Sequence, residues 1–151
     1  EQNNILMLFV RAHGMKSSSK AGNIFGAADS FFEVLNEHME VVGRSSVLFN
    51  DSTPKWLPIK LDLETLCQND DSKKVYISFY DHQTTDHELI ETIVTTAGGI
   101  KESAKACQAQ QRVNLSEKKP SHEFGDGVRV YIYDAIVTTG TPSTIIGAKP
   151  A

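Results

Sequence analysis

Apolar and polar residues alternate through much of the chain. Val75, Ile77 and Phe79 are interleaved with Tyr76, Ser78 and Tyr80. Ile59, Leu61 and Leu63 are interleaved with Lys60, Asp62 and Glu64, and Val128, Val130 and Ile132 with Arg129, Tyr131 and Tyr133. A period of two puts one set on each face of a strand, so these segments predict half-buried β-strands. The run from Ile5 to Val10 is apolar throughout and predicts a strand covered on both sides. The pattern places strands near 5–12, 31–37, 41–49, 58–63, 74–80, 88–95, 110–116 and 127–136. Turn-forming stretches separate them: Ser17 to Gly26, Asn50 to Pro54, Asn69 to Ser72, His82 to His87 and Lys118 to Gly127. Eight short strands so spaced predict an all-β, antiparallel β-sandwich. Ala104, Ala106 and Ala109, set among Lys, Glu and Gln, break the rhythm and predict a short helix near 100–109 within a connection. The Thr-, Gly- and Pro-rich stretch from Thr138 to Ala151 has no packing pattern, so residues 1–137 are expected to form the domain and 138–151 a linker-like tail.

Composition narrows the function. With 151 residues, 40% of them hydrophobic, the chain can bury one core without metal or disulfide staples. A formal charge of −4 disfavours a general nucleic-acid binder and simple adhesion to anionic lipid. Cys67 and Cys107 are expected as reduced thiols in a cytoplasmic protein. No apolar run reaches the roughly 18 residues of a membrane span. The chain begins at Glu1 rather than Met, which reads as a piece of a longer protein. There is no Gly-x-Ser-x-Gly, no His-Glu-x-x-His and no phosphate-binding glycine loop, so no enzyme is expected.

Two segments go beyond a generic sandwich. Gly26-Ala27-Ala28-Asp29-Ser30-Phe31-Phe32-Glu33 resembles the stretch that closes the first calcium loop of C2 domains. Tyr80-Asp81, followed by His87-Glu88-Leu89-Ile90 and Thr95-Thr96, resembles the third calcium loop and next strand of the copine family. Pro54-x-Trp56-x-Pro58-x-Lys60, Leu63-x-x-Leu66-Cys67 and Leu115-Ser116-Glu117-Lys118-Lys119 are similar to copines as well. The resemblance spans about residues 5–136 and is that of a second copine C2 domain. It implies a von Willebrand A-type domain downstream, a cytoplasmic or peripheral-membrane location, and docking onto phospholipid or a protein partner.

The resemblance also implies a calcium site at two loops. Its positions fall on Asn23, Asp29, Asp81, Gln83 and Glu88, with Asp86 in the same loop. Asn23 and Gln83 bring amides where carboxylates are usual. Calcium affinity follows the number of charged ligands, so the site is expected to be degenerate and calcium weak or absent. Loop aspartates also serve as plain turn caps, which is the bland alternative. His82 and His87 share the loop with Asp81, Asp86 and Glu88, but their spacing matches no zinc motif. Arg44 and Lys60 are candidates for a basic lipid-binding patch on one sheet. Met15, Ile24 and Phe25 are candidates for apolar loop tips that wedge into a membrane or tuck back onto the sandwich. Trp56, between two prolines, is expected to be structural. A non-catalytic lipid-docking module is the leading expectation. A calcium-independent protein-interaction or scaffold module is the alternative.

Overall fold

The computed structural model describes residues 2–16, 26–110 and 114–141. It contains two four-stranded antiparallel sheets stacked face to face. The first has the order β4-β1-β8-β7, from Ile59–Asp62, Asn3–His13, Arg129–Gly140 and His122–Glu123. The second has the order β3-β2-β5-β6, from Val41–Arg44, Ser30–Leu35, Lys74–Asp81 and Glu88–Thr96. The predicted eight-stranded sandwich is thus the observed fold. Leu6, Leu8, Val10 and Ala12 of β1 share one apolar core with Phe32 and Val34 of β2 and Ile77 and Phe79 of β5. Trp56 belongs to it, with its ring 5.2 Å from Phe32 and 5.8 Å from Phe79, and its Nε1–H donates to the Ser30 carbonyl at 3.2 Å. Burying that ring with its one polar group satisfied stabilises the core without leaving an unpaired donor.

Two α-helices occur among the described residues. The first, α1 (Leu63–Cys67), was not anticipated; it follows β4 directly, with the Asp62 carboxylate capping the Glu64 N–H. The second, α2 (Ala97–Ala109), covers the predicted helix and begins three residues earlier, where Thr96 caps Gly99. Its Ala97, Ile100, Ala104 and Cys107 repeat at helical spacing and are buried against the sheets. No helix among the described residues is long and apolar enough to cross a membrane.

Several strand boundaries depart from the sequence pattern. The strand expected over 41–49 ends at Arg44, because Ser45 turns back and its hydroxyl accepts the Phe32 N–H at 2.9 Å. Only Leu48 rejoins the sheet, as an isolated bridge to Ser30. The strand expected over 110–116 is, in its described part, a 3₁₀ turn at Leu115–Glu117. Residues 138–140, assigned to the tail, complete β8, with Gly140, Thr139 and Thr138 opposite Asn3, Asn4 and Ile5. Threonine suits a strand whose partner is already laid down. The rest of the tail lies outside the described residues, Thr141 apart. At Gly43 a Cβ would meet the Leu61 side chain at 2.4 Å, so the missing side chain is what lets β3 approach β4 across the open edge of the sandwich.

Candidate functional site

The register of the second sheet assembles the acidic loop end. Asp81 is opposite both Ser30 and Glu88, at the last position of β5. Beyond the ladder, the His82 N–H donates to the Asp29 carbonyl at 2.7 Å, which carries the β2–β5 pairing into the loops. Asp29, Asp81 and Glu88 therefore do meet at one end of the molecule. Gln83 and Asp86 lie in the same 82–87 loop, whereas Asn23 lies outside the described residues.

The carboxylates serve the backbone there. Asp81 is 3% exposed and its Oδ1 accepts the Asp29 N–H at 3.0 Å. Oδ1 of Asp29 accepts the Asn50 N–H at 2.7 Å, and Oδ1 of Asn50 accepts the Ala27 N–H at 3.2 Å. Asn50 holds a left-handed backbone, φ 49°, which an asparagine tolerates better than most residues. Asp29, Asp81 and Asn50 thus stitch three loops together. Among the described residues, no three His, Cys, Asp or Glu side chains converge in a way that could hold a metal ion. Calcium takes six to eight oxygens, and the described donors do not by themselves fit such a cage.

The two histidines join an aromatic cluster instead. The His82 and His87 rings are 4.7 Å apart. Phe31 meets His87 edge-on at 5.0 Å and stacks with Tyr80 at 5.3 Å, and Phe49 meets His82 at 5.8 Å. Nδ1 of His87 accepts the Gln83 N–H at 3.0 Å, which spends one of its two ring nitrogens on the loop.

The lipid-contact candidates are redistributed. Met15 is fully buried in the core and cannot serve as a loop tip: Gly14, at φ 84°, turns the chain inward, and the Gly14 and Met15 N–H groups both donate to the Ser52 carbonyl. Ile24 and Phe25 lie outside the described residues. Arg44 and Lys60 do not share a sheet. Arg44 is on β3, opposite Glu33 of β2, while Lys60 is on β4, opposite Met7 of β1. The reason is that β3 and β4, though consecutive, pair into different layers, so the two cations point out of opposite faces. Arg44 is also engaged by the Glu33 carboxylate, with Nε–Oε2 at 2.7 Å, and its guanidinium lies over the Phe31 ring at 5.9 Å. The sequence pattern missed Phe49, which is 67% exposed beside the acidic end. Its place just before the Asn50–Pro54 turn was the available signal, hidden by assigning it to a strand.

Neither cysteine is exposed. Both are free and buried, and burial pushes each thiol above its ordinary range.

No family model matches the sequence. Among solved structures, "BON1-C2B" superposes with a TM-score of 0.66 at 19% identity, over 90% of this chain and 92% of that one. A C2 domain of RIM from Drosophila matches over 86% of this chain and 94% of that one, with a TM-score of 0.44 at 10% identity. The first of these likenesses, with the two four-stranded sheets, shows that the chain has the fold of a C2 domain.

Proposed function

We propose that this C2 module is non-catalytic and docks its parent chain on a phospholipid surface, with weak or no dependence on calcium. The observation that carries the reading is the use of Asp29 and Asp81 as internal acceptors for the Asn50 and Asp29 N–H groups, beside an exposed Phe49. One oxygen of each carboxylate is spent on the loop end's own backbone, and Phe49 supplies apolar area that a headgroup region would cover at about 25 cal/mol per Å². The copine resemblance of the Pro-Trp-Pro and His-Glu-Leu-Ile segments supports the same role, including a von Willebrand A-type domain downstream and a cytoplasmic, peripheral-membrane location. Arg44 is less suited to lipid phosphate than its charge suggests, since Glu33 already neutralises it.

Co-sedimentation with phosphatidylcholine–phosphatidylserine vesicles, in calcium and in chelator, tests the proposal. Retention is expected to agree within about twofold in the two conditions, and Phe49→Ser is expected to weaken it about threefold or more, in line with the area lost. Retention in calcium alone would overturn the calcium part. No retention in either condition would leave the scaffold role as the better account.

A further inference from the structure

A second polar region lies on the outer face of the other sheet. A recess of about 370 Å³ opens there between β1, β8, the C-terminal end of α2 and the 3₁₀ turn, lined by Arg11, Lys55, Cys107, Asn114, Lys118 and Tyr133 among others. Three of these residues are cations and none of the described lining residues is an acid, in a chain whose net charge is −4. The neighbouring carboxylates do not line it. Oδ1 of Asp134 accepts from Gln108 Nε2 and from the Ala135 N–H, both at 2.9 Å, and Glu117 is exposed.

The fold forces these cations together. Arg11 and Lys55 sit directly opposite one another in an antiparallel bridge. Ala12 N–H to Pro54 O at 2.9 Å and Trp56 N–H to Val10 O at 3.3 Å lock that pairing on both sides. Like charges directly across a ladder destabilise it, and no carboxylate among the described lining residues offsets them. Lys55 Nζ lies 5.5 Å from the centre of the Tyr133 ring, and Lys118 Nζ donates to the Cys107 carbonyl at 3.2 Å, covering the carbonyl end of α2. Arg129 fixes the turn by donating to the Lys118 carbonyl at 2.9 Å. The Nε of Arg11 is buried and has no hydrogen-bond partner among the described residues. A buried donor left unpaired is costly and calls for an acceptor.

We propose that this recess binds a multiply phosphorylated small group of the inositol-phosphate kind. Phosphate oxygens suit the planar fork of arginine and the point charges of two lysines. The recess lies at the small end of ligand-site volumes, enough for one such group. The proposal stands apart from the loop-end reading, because it uses the other sheet and none of the same residues.

The test uses two probes: soluble inositol 1,4,5-trisphosphate by titration calorimetry, and vesicles containing phosphatidylinositol 4,5-bisphosphate by co-sedimentation. Arg11→Met and Lys118→Gln are each expected to weaken binding about tenfold, by loss of a charged hydrogen bond. Lys60→Gln, on the same sheet but away from the recess, and Phe49→Ser, at the loop end, are expected to leave trisphosphate binding unchanged. Affinity is expected to fall steeply with salt. Vesicle retention lost in the recess variants assigns a lipid headgroup; trisphosphate binding without vesicle retention assigns a soluble ligand. The proposal is overturned if neither probe binds, or if Arg11→Met and Lys118→Gln, shown folded by their melting curves, bind as tightly as the unaltered chain.

Discussion

The acidic loop end and the cationic recess are both polar, and both are built from strand ends and connections, yet the fold treats them in opposite ways. At the loop end Asp29, Asp81 and Asn50 accept backbone N–H groups, and the histidines lean on Phe31 and Phe49. In the recess, Arg11 and Lys55 are held side by side with no carboxylate among the described lining residues, and a buried Arg11 nitrogen lacks a partner among them. The loop end is not wholly satisfied, since the Ser30 Oγ is also buried without a partner among the described residues. Its carboxylates, however, are spent on backbone N–H groups, while the recess cations face one another unoffset by any described lining acid. The contrast sets carboxylates that bond the chain's own backbone against cations that no described lining acid offsets.

The largest effect expected from breaking this contrast is at Asp81. Asp81→Ala leaves the Asp29 N–H without its acceptor at a part-buried position and is expected to lower stability by about 1–3 kcal/mol. Urea melts measure it, and a loss below about 0.5 kcal/mol would show the loop end to be held by something else. Arg11→Met keeps an extended, unbranched side chain and removes one of two facing like charges. It is expected to change stability by no more than about 1 kcal/mol, neutral or upward, as happens when poorly compensated charges give way to apolar groups. A loss greater than about 2 kcal/mol in the same melts would make Arg11 a structural residue and erase the contrast.

The smallest effect is a pH dependence from β7, at the edge of the sheet that carries the recess. Burial holds the His122 imidazole below its ordinary range. The folded chain therefore keeps it neutral where the unfolded chain has begun to take up a proton. Stability from this group is complete above the unfolded value of about 6.5 and is lost as pH falls through the lower folded value. Melting temperature against pH is expected to decline on that acid limb, and His122→Gln to flatten the decline. An unchanged limb would assign the acid sensitivity to carboxylates.

Much of this was legible from single strands. Alternation at 74–80, 58–63 and 127–136 marked β5, β4 and β8, because a half-buried strand writes its two faces into consecutive residues. The alanine-rich break announced α2 for a similar local reason. Boundaries failed where a distant partner decided them. Thr138 to Gly140 are strand only because the first residues of β1 lie opposite, and the strand expected past Arg44 stops because Ser45 bonds back to Phe32. Met15 carries no local sign that its chain turns inward.

The sequence by itself determined the layered all-β class, since that depends on periodicity. The meeting of Asp29, Asp81 and Glu88 at one end was implied only by the resemblance, and it rests on the pairing of β2 with the distant β5. Only the tertiary structure decided what Asp29 and Asp81 do there, that Arg44 and Lys60 face opposite ways, and that Arg11, Lys55 and Lys118 share a recess. Those outcomes depend on which strands pair into which sheet and on which acceptors remain. Pairing is a contest among segments far apart in the chain, and no short window of residues records its result.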